Sequence, residues 1–93
     1  MECESTTFTA HASRRMLQRQ IGFRDVIFVL RNGEVIGEEE DAGRQVVLLL
    51  GSPHGRAIHL VVARYPGPMD CLVVTAYDPS PLKWDPAFKR RRR

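Results

Sequence analysis

The sequence predicts an α+β fold in which two N-terminal helices pack on a four-stranded antiparallel sheet. Apolar residues recur at helical spacing as far as residue 31, and from residue 34 onward they form short runs separated by turn residues. The connections between these later runs have hairpin length, which makes neighbouring strands antiparallel. Helices followed by strands in this order are typical of the α+β class.

Length and composition are those of one globular domain with a charged tail. The chain has 93 residues, of which 43% are hydrophobic and 27% are charged, so we expect a single domain over residues 1–88. The net charge is +3, but the last five residues, 89–93, are all basic. Residues 1–88 are therefore slightly acidic. We expect the tail to be disordered because like charges repel, and it either binds a polyanion or serves only solubility.

Two short helices are predicted before residue 34. The hydroxyl of Thr9 can cap a first helix over about residues 10–20, which Gly22 separates from the next. A second helix from about Phe23 to Arg31 is expected to end at a left-handed cap formed by Asn32-Gly33. Residues 1–7 show no hydrophobic periodicity, and we expect either an irregular N-terminal segment or a short strand there.

The four predicted strands are short and differ in their surroundings. Residues 34–40 contain glutamates and predict an edge strand, a candidate site for a segment of a protein partner or for a dimer partner. Residues 45–50 are apolar without alternation, which predicts burial on both faces. Strands at residues 57–63 and 71–78 follow, with turns at residues 41–43, 51–55 and 65–68. Beyond Pro79 the chain contains further prolines, and Trp84 and Phe88 are expected to anchor this segment to the body of the domain.

The two cysteines, Cys3 and Cys71, have no metal-binding spacing. Cys71 begins a strand, where a small buried side chain fits, and we expect both thiols to be reduced. The chain has no recognisable leader and no apolar run near the length of a membrane span. A cytoplasmic protein without a cofactor or a metal is therefore expected.

The first helix carries the first candidate for chemistry. His11, Arg15 and Arg19 follow one another at four-residue spacing and share one helix face. Arginines hold phosphate and its developing charge, and an imidazole transfers protons near neutral pH. The alternative interpretation is an ordinary solvated helix face.

The last two strands carry the other candidates. His59 alternates with Ile58 and Leu60, so it faces away from them, and it needs a partner if it is buried. Thr75 and Tyr77 are expected on one face, together with Cys71 and Val73. If the two strands pair, His59 and Tyr77 share a sheet face within reach of the first helix. The alternative is that all three are ordinary strand residues.

Several short motifs then resemble a small prokaryotic family, domain of unknown function 4258. They are HASRRMLQRQIGFRDVIFVLRNGEVI, RAIHLVVA and VVTAYDPSPLKWDPAFKRR, and the resemblance extends over about residues 8–92. That family is similar to RelE- and BrnT-like toxins of toxin–antitoxin systems. The resemblance implies a RelE-like fold, cleavage of messenger RNA, and neutralisation by a small antitoxin, in some cases one with a zinc finger. The motif residues carried over are His11, Arg15, Arg19, His59, Thr75, Tyr77 and Trp84.

These observations predict a metal-independent ribonuclease toxin that acts on RNA, either free or on the ribosome. We expect His11, Arg15, His59 and Tyr77 to be catalytic, with the two histidines as acid and base. The predicted RNA-binding residues are Arg19, Thr75, Lys83, Trp84, Lys89 and Arg90. The alternatives are a non-catalytic nucleic-acid-binding or regulatory module, in which the histidines are structural, and a domain whose ligand is another protein.

Overall fold

The computed structural model describes residues 1–65 and 69–93, in which two helices precede most of a sheet. The helices are α1 (Ala10–Arg19) and α2 (Phe23–Asn32), as predicted to within a residue. The strands are β1 (Ser5–Phe8), β2 (Glu34–Asp41), β3 (Arg44–Gly51), β4 (Ile58–Arg64) and β5 (Asp70–Tyr77). The predicted turn at residues 65–68 lies mostly outside the described residues.

Individual residues at the helix ends explain where α1 and α2 begin and end. The Thr9 hydroxyl accepts a hydrogen bond from the Ala12 backbone N–H, as predicted for an N-cap. Helix α1 ends at Gln20, which is left-handed at φ 54°. Gly33 at the end of α2 has φ −69°, so the predicted left-handed cap there is wrong. A glycine is needed at that position for a different reason, because a Cβ would collide with the Val29 carbonyl oxygen.

Over the described part of the chain the sheet has five strands and is mixed, in the order β1-β5-β4-β3-β2. The prediction of four antiparallel strands is therefore wrong. Strand β1 pairs in parallel with β5, from Ser5 opposite Asp70 to Phe8 opposite Val73. A four-residue strand has too few side chains to show a period, so pairing with β5 rather than local sequence decides its conformation. Strand β2 lies at an edge, as predicted.

The two sheet faces have different coverings. The inner face, which we define as the face packed against the helices, carries the buried core of Val47, Leu49, Leu60 and Val62. On β3 the intervening residues are only half-buried, so burial on both faces was a wrong prediction. The outer face carries the alternate residues. An apolar run without alternation does not specify whether its second face is fully covered.

A β-bulge in β5 reverses the expected facing of Thr75. Val61 on β4 pairs with Thr75, whereas the next residue, Val62, pairs with Val73, so Val74 is an extra residue without a partner on β4. Thr75 and Tyr77 consequently lie on the outer face, and Cys71 and Val73 lie on the inner face. The predicted common face of these four residues is wrong, because a bulge shifts the side-chain alternation by one residue.

Residues 79–93, here called the C-terminal segment, return across the outer face. Trp84 and Arg91 form an antiparallel bridge, and the Arg92 N–H donates to the Lys83 carbonyl oxygen at 2.8 Å. Lys89 Nζ lies 3.1 Å from a carboxylate oxygen of Glu34 on β2. The structure thus differs from the predicted disordered tail, since backbone hydrogen bonds and an ion pair offset the repulsion among its charges.

Cys3 and Cys71 form a disulfide, so the prediction of two reduced thiols is wrong. Parallel pairing of β1 with β5 brings the two residues together although they are 68 positions apart in the chain. Sequence spacing alone could not indicate this proximity. Among the described helices, none has both the length and the apolar character that a membrane span requires.

Candidate functional site

Helix α1 lies beside the second half of β5, where β1 has already ended. The Thr9 N–H donates to the Val73 carbonyl oxygen, and the Thr9 hydroxyl donates to that of Val74. These bonds fix the start of α1 next to the bulge. As a result, His11 Nε2 lies 3.1 Å from the Thr75 hydroxyl oxygen, at hydrogen-bonding distance. The helix and the outer face of the sheet therefore meet at one edge.

A cavity of about 430 Å³ opens at this edge. Its walls come from α1, the end of β5 and the C-terminal segment, and its cationic side chains outnumber its single carboxylate. Five cationic or titratable nitrogen-containing side chains line it: His11, Arg15, Arg19, Lys83 and Arg91. Thr75, Tyr77, Asp78, Ser80 and Trp84 complete the lining. Such a surface is suited to a phosphate group, because guanidinium groups bind phosphate oxygens in a fixed, often bidentate geometry.

The only carboxylate in that lining, Asp78, is paired with a buttressing arginine. Arg56 Nε and Nη2 donate to the two oxygens of Asp78 at 2.7 and 3.0 Å. The same guanidinium donates to the carbonyl oxygens of Arg19 and Gln20, which end α1. The hydrogen bond to Asp78 raises the pKa of Arg56, and burial opposes it. Arg56 thus links the end of α1 to the end of β5. Its positive charge also offsets the negative charge of Asp78, which would otherwise repel an anionic ligand.

His59 lies directly beneath the cavity and has no exposed surface. Its Nε2 is 2.8 Å from the Phe88 carbonyl oxygen, which can only accept, so Nε2 carries the proton. In a neutral imidazole Nδ1 is then an acceptor, and the Tyr77 hydroxyl at 3.2 Å donates to it. Both ring nitrogens of His59 are therefore hydrogen-bonded, and the bond at Nδ1 fixes the direction of the Tyr77 hydroxyl.

Burial changes the proton affinity of this pair. It lowers the pKa of His59 below the ordinary 6.5, although the hydrogen bond to Phe88 opposes the effect. Burial also raises the pKa of Tyr77 above 10.0, and the positive charge of Arg91 opposes that shift. Both shifts favour the neutral forms, because desolvation disfavours charge. Near neutral pH the pair is an uncharged hydrogen-bonded unit.

Trp84 closes the site on the side of the C-terminal segment. Its ring meets the His59 ring edge-on, with centroids 4.5 Å apart, and the Arg91 guanidinium carbon lies 5.5 Å from the Trp84 ring centroid. A cation held over an aromatic face in this way is attracted by the ring quadrupole. Trp84 thus positions Arg91 at the cavity, and the anchoring role predicted for Trp84 has a clear geometry.

The structure brings most of the predicted site residues together. His11, Arg15, Arg19, Thr75, Tyr77, Lys83 and Trp84 all line the cavity. His59 shares a sheet face with Tyr77, as predicted, but lies behind it. Lys89 pairs with Glu34, and neither Lys89 nor Arg90 is part of the cavity lining. Sequence reasoning missed Arg56, Asp78, Ser80 and Arg91, because only the fold makes them neighbours of α1.

Within residues 1–65 and 69–93, no three His, Cys, Asp or Glu side chains lie close enough together to hold one metal ion.

Fold and cavity define a small α+β protein with a cationic site between its first helix and the outer face of its sheet. The family model described as "Domain of unknown function (DUF4258)" matches residues 8–78, and the chain belongs to this family. The matched region contains His11, Arg15, His59 and Tyr77, whereas Trp84 and Arg91 lie beyond it. Searches of curated proteins and of solved structures found no match.

Proposed function

We propose that this protein is an endoribonuclease that cleaves RNA without a metal ion, and that it is the toxin of a toxin–antitoxin pair with a RelE-like fold. The observation that carries the nuclease proposal is the cavity in which His11 stands beside Arg15, Arg19, Lys83 and Arg91. The toxin proposal rests on the family resemblance of its motifs.

In the proposed reaction His11 is the general base. Its imidazole takes the proton of a ribose 2′-hydroxyl, the 2′-oxygen forms a bond to the adjacent phosphorus, and the bond from phosphorus to the 5′-oxygen breaks. Lys83 gives a proton to the leaving oxygen, since the proton of the Tyr77 hydroxyl is directed at His59. The products are a 2′,3′-cyclic phosphate and a 5′-hydroxyl, and solvent restores the two protein groups.

Arginines supply the electrostatic part of this proposal. Arg15 and Arg19 of α1 hold the phosphate together with Arg91 of the C-terminal segment, so cationic groups from two parts of the chain lie at the oxygens on which negative charge develops. His59 is a positioning residue here and not an acid or base, because its side chain is fully buried and both nitrogens are occupied.

The test is cleavage of a defined single-stranded RNA by the purified protein in the presence of a chelator. We expect a cyclic-phosphate product and a loss of about 10²–10⁴-fold in rate for H11A, the range for one general acid–base group. The control is H54A, at an exposed histidine outside the cavity. Wild-type cleavage abolished by the chelator, or H11A activity equal to that of H54A, would contradict this mechanism.

A second candidate function is a non-catalytic RNA-binding module. The observation that favours it is the burial of His59, which leaves His11 as the single imidazole in the cavity lining. This function predicts binding that weakens steeply with salt and no cleavage, with or without ribosomes.

The proposed protein partner is a cognate antitoxin, with a zinc-finger protein as one form of it, and the proposed location is the cytoplasm. The edge position of β2 supports strand addition by such a partner, because within residues 1–65 and 69–93 no strand pairs with its second side. Co-expression with the product of an adjacent short reading frame tests this proposal. A proline at Glu40 should then weaken a complex formed through β2, and an unaffected complex would exclude this edge.

A further inference from the structure

A second concavity lies on the outer face of the sheet, next to the cavity that His11, Arg15 and Arg19 line, which we call the phosphate cavity. It encloses about 350 Å³. Its floor consists of Val46, Leu48 and Val61, side chains of the outer face that the C-terminal segment leaves uncovered. We call this concavity the floor groove. A flat apolar surface of this kind suits an aromatic ring better than a charged group.

The floor groove and the phosphate cavity share a wall. Tyr77, Trp84 and Arg91 line both of them. A ligand with an anionic part in the cavity can therefore extend its next part into the groove across these three residues. Tyrosine rings and arginine guanidinium planes are surfaces on which unpaired nucleobases stack. The arrangement fits one nucleotide, with its phosphate in the cavity and its base in the groove.

The far rim of the floor groove is acidic. Glu38 and Glu39 line it, and strand register distinguishes them. Glu39 pairs with Val46 of the floor, whereas Glu38 pairs with Val47 of the core. Glu39 therefore belongs to the outer face, on β2, and two strands, β4 and β3, separate it from Tyr77 on β5. A carboxylate here would repel phosphate, but it can accept hydrogen bonds from a base.

We propose that the floor groove is a base-binding subsite selective for guanine, in which Glu39 accepts hydrogen bonds from the base; this inference rests on the proposed RNA-binding function. Guanine presents two adjacent donors, the N1–H and the N2 amino group, which match the two oxygens of one carboxylate. Adenine and cytosine place a ring-nitrogen acceptor beside their amino group, and uracil flanks its N–H with two carbonyl oxygens. Each of these acceptors would face the carboxylate and be repelled.

The experiment compares binding of three labelled oligonucleotides by fluorescence anisotropy. The first is a short oligouridine, the second has one central guanosine, and the third has inosine at that position, which lacks the amino group. The wild-type protein should bind the guanosine oligonucleotide about 5- to 100-fold more tightly than oligouridine, the range for one bidentate base contact. Inosine should fall between them.

Two variants test whether Glu39 provides the selectivity for guanine. E39Q should reduce the ratio of guanosine to oligouridine affinity to within about twofold, since an amide cannot accept both hydrogen bonds. E40Q removes the same charge from the same strand but on the opposite face, because Glu40 pairs with Gln45. It should leave the ratio unchanged. The ratio is the readout because any lost carboxylate raises affinity for all RNA alike.

The outcomes separate this inference from the proposed function. Tight, salt-sensitive binding with equal affinities for guanosine, inosine and uridine oligonucleotides would overturn the guanine subsite and leave the phosphate cavity intact. A ratio lost equally in E39Q and E40Q would overturn the role of Glu39. Absence of binding to all three oligonucleotides, with no cleavage of longer RNA, would overturn the proposed function itself.

Discussion

The Tyr77 hydroxyl donates a hydrogen bond to His59 Nδ1 across 3.2 Å, and this bond joins the buried part of the sheet to the cavity. His59 in turn donates through Nε2 to the Phe88 carbonyl oxygen, in the C-terminal segment. One neutral histidine thereby aligns a cavity side chain and secures the segment that carries Lys83, Trp84 and Arg91. Losing either bond would leave a buried polar atom without a partner, which costs stability.

Replacing Tyr77 by phenylalanine should lower the free energy of unfolding by about 1–3 kcal/mol, because His59 Nδ1 is then buried without its donor. Chemical denaturation followed by Trp84 fluorescence measures the change. The control is Y65F, since Tyr65 is half-exposed. Equal effects of the two substitutions would show that the hydrogen bond to His59 contributes nothing.

The lowered pKa of His59 predicts acid sensitivity. The unfolded chain binds a proton at this residue near pH 6.5, whereas the folded protein binds it only at lower pH. The stabilisation is therefore complete above pH 6.5 and is lost as pH falls from 6.5 through the folded-state value. The difference in unfolding free energy between wild type and H59Q should shrink over this range. H54Q, at an exposed histidine, is the control, and an equal pH dependence of both variants would contradict the role of burial at His59.

Arg15 should contribute to RNA affinity through one phosphate contact. For R15Q we expect weaker binding of all single-stranded sequences alike, and a slope of log affinity against log salt that is smaller by about 0.7, the value for one contact to a single strand. Anisotropy titrations at several salt concentrations measure both quantities. R31Q is the matched control, at the end of α2 and away from the cavity. If the slope changed equally in R15Q and R31Q, Arg15 would not be a phosphate contact of the cavity.

Substitution of Arg56 by lysine should destabilise the protein although the charge is kept. Lysine cannot bind both Asp78 oxygens and the two helix carbonyls with one planar group. We expect the free energy of unfolding to fall by about 1–2 kcal/mol. The loss is this small because the Arg56 and Asp78 side chains are about one-third exposed and solvent partly screens their charges. R44K, at the single 3.5 Å contact between Arg44 and Asp41, should change stability less. Similar losses for both would contradict the buttressing role of Arg56.

Opening the Cys3–Cys71 disulfide should lower the free energy of unfolding by about 2–4 kcal/mol, because the bond closes a long loop and restricts the unfolded chain. Denaturation of wild type with and without a thiol reductant measures this effect. C3A should match the reduced wild type and show no response to reductant. An unchanged midpoint on reduction would mean that pairing of β1 with β5 persists without the bond and carries the stability alone.

Local sequence determined both helices, the positions of four strands and the facing of His59 away from Ile58 and Leu60. Helix periodicity, the Thr9 cap and the two-residue alternation of β4 depend on neighbours within a few positions, so they can be found in one sequence. The four-residue spacing of His11, Arg15 and Arg19 put three cavity residues on one helix face for the same reason.

Tertiary structure decided the features that depend on distant segments. The bulge at Val74 turned Thr75 to the outer face, where His11 meets it, and the parallel addition of β1 brought Cys3 to Cys71. The return of the C-terminal segment buried His59 and carried Arg91 into the cavity. These contacts join residues far apart in the chain, and the free energy that selects them comes from packing and pairing between elements, which no local pattern encodes.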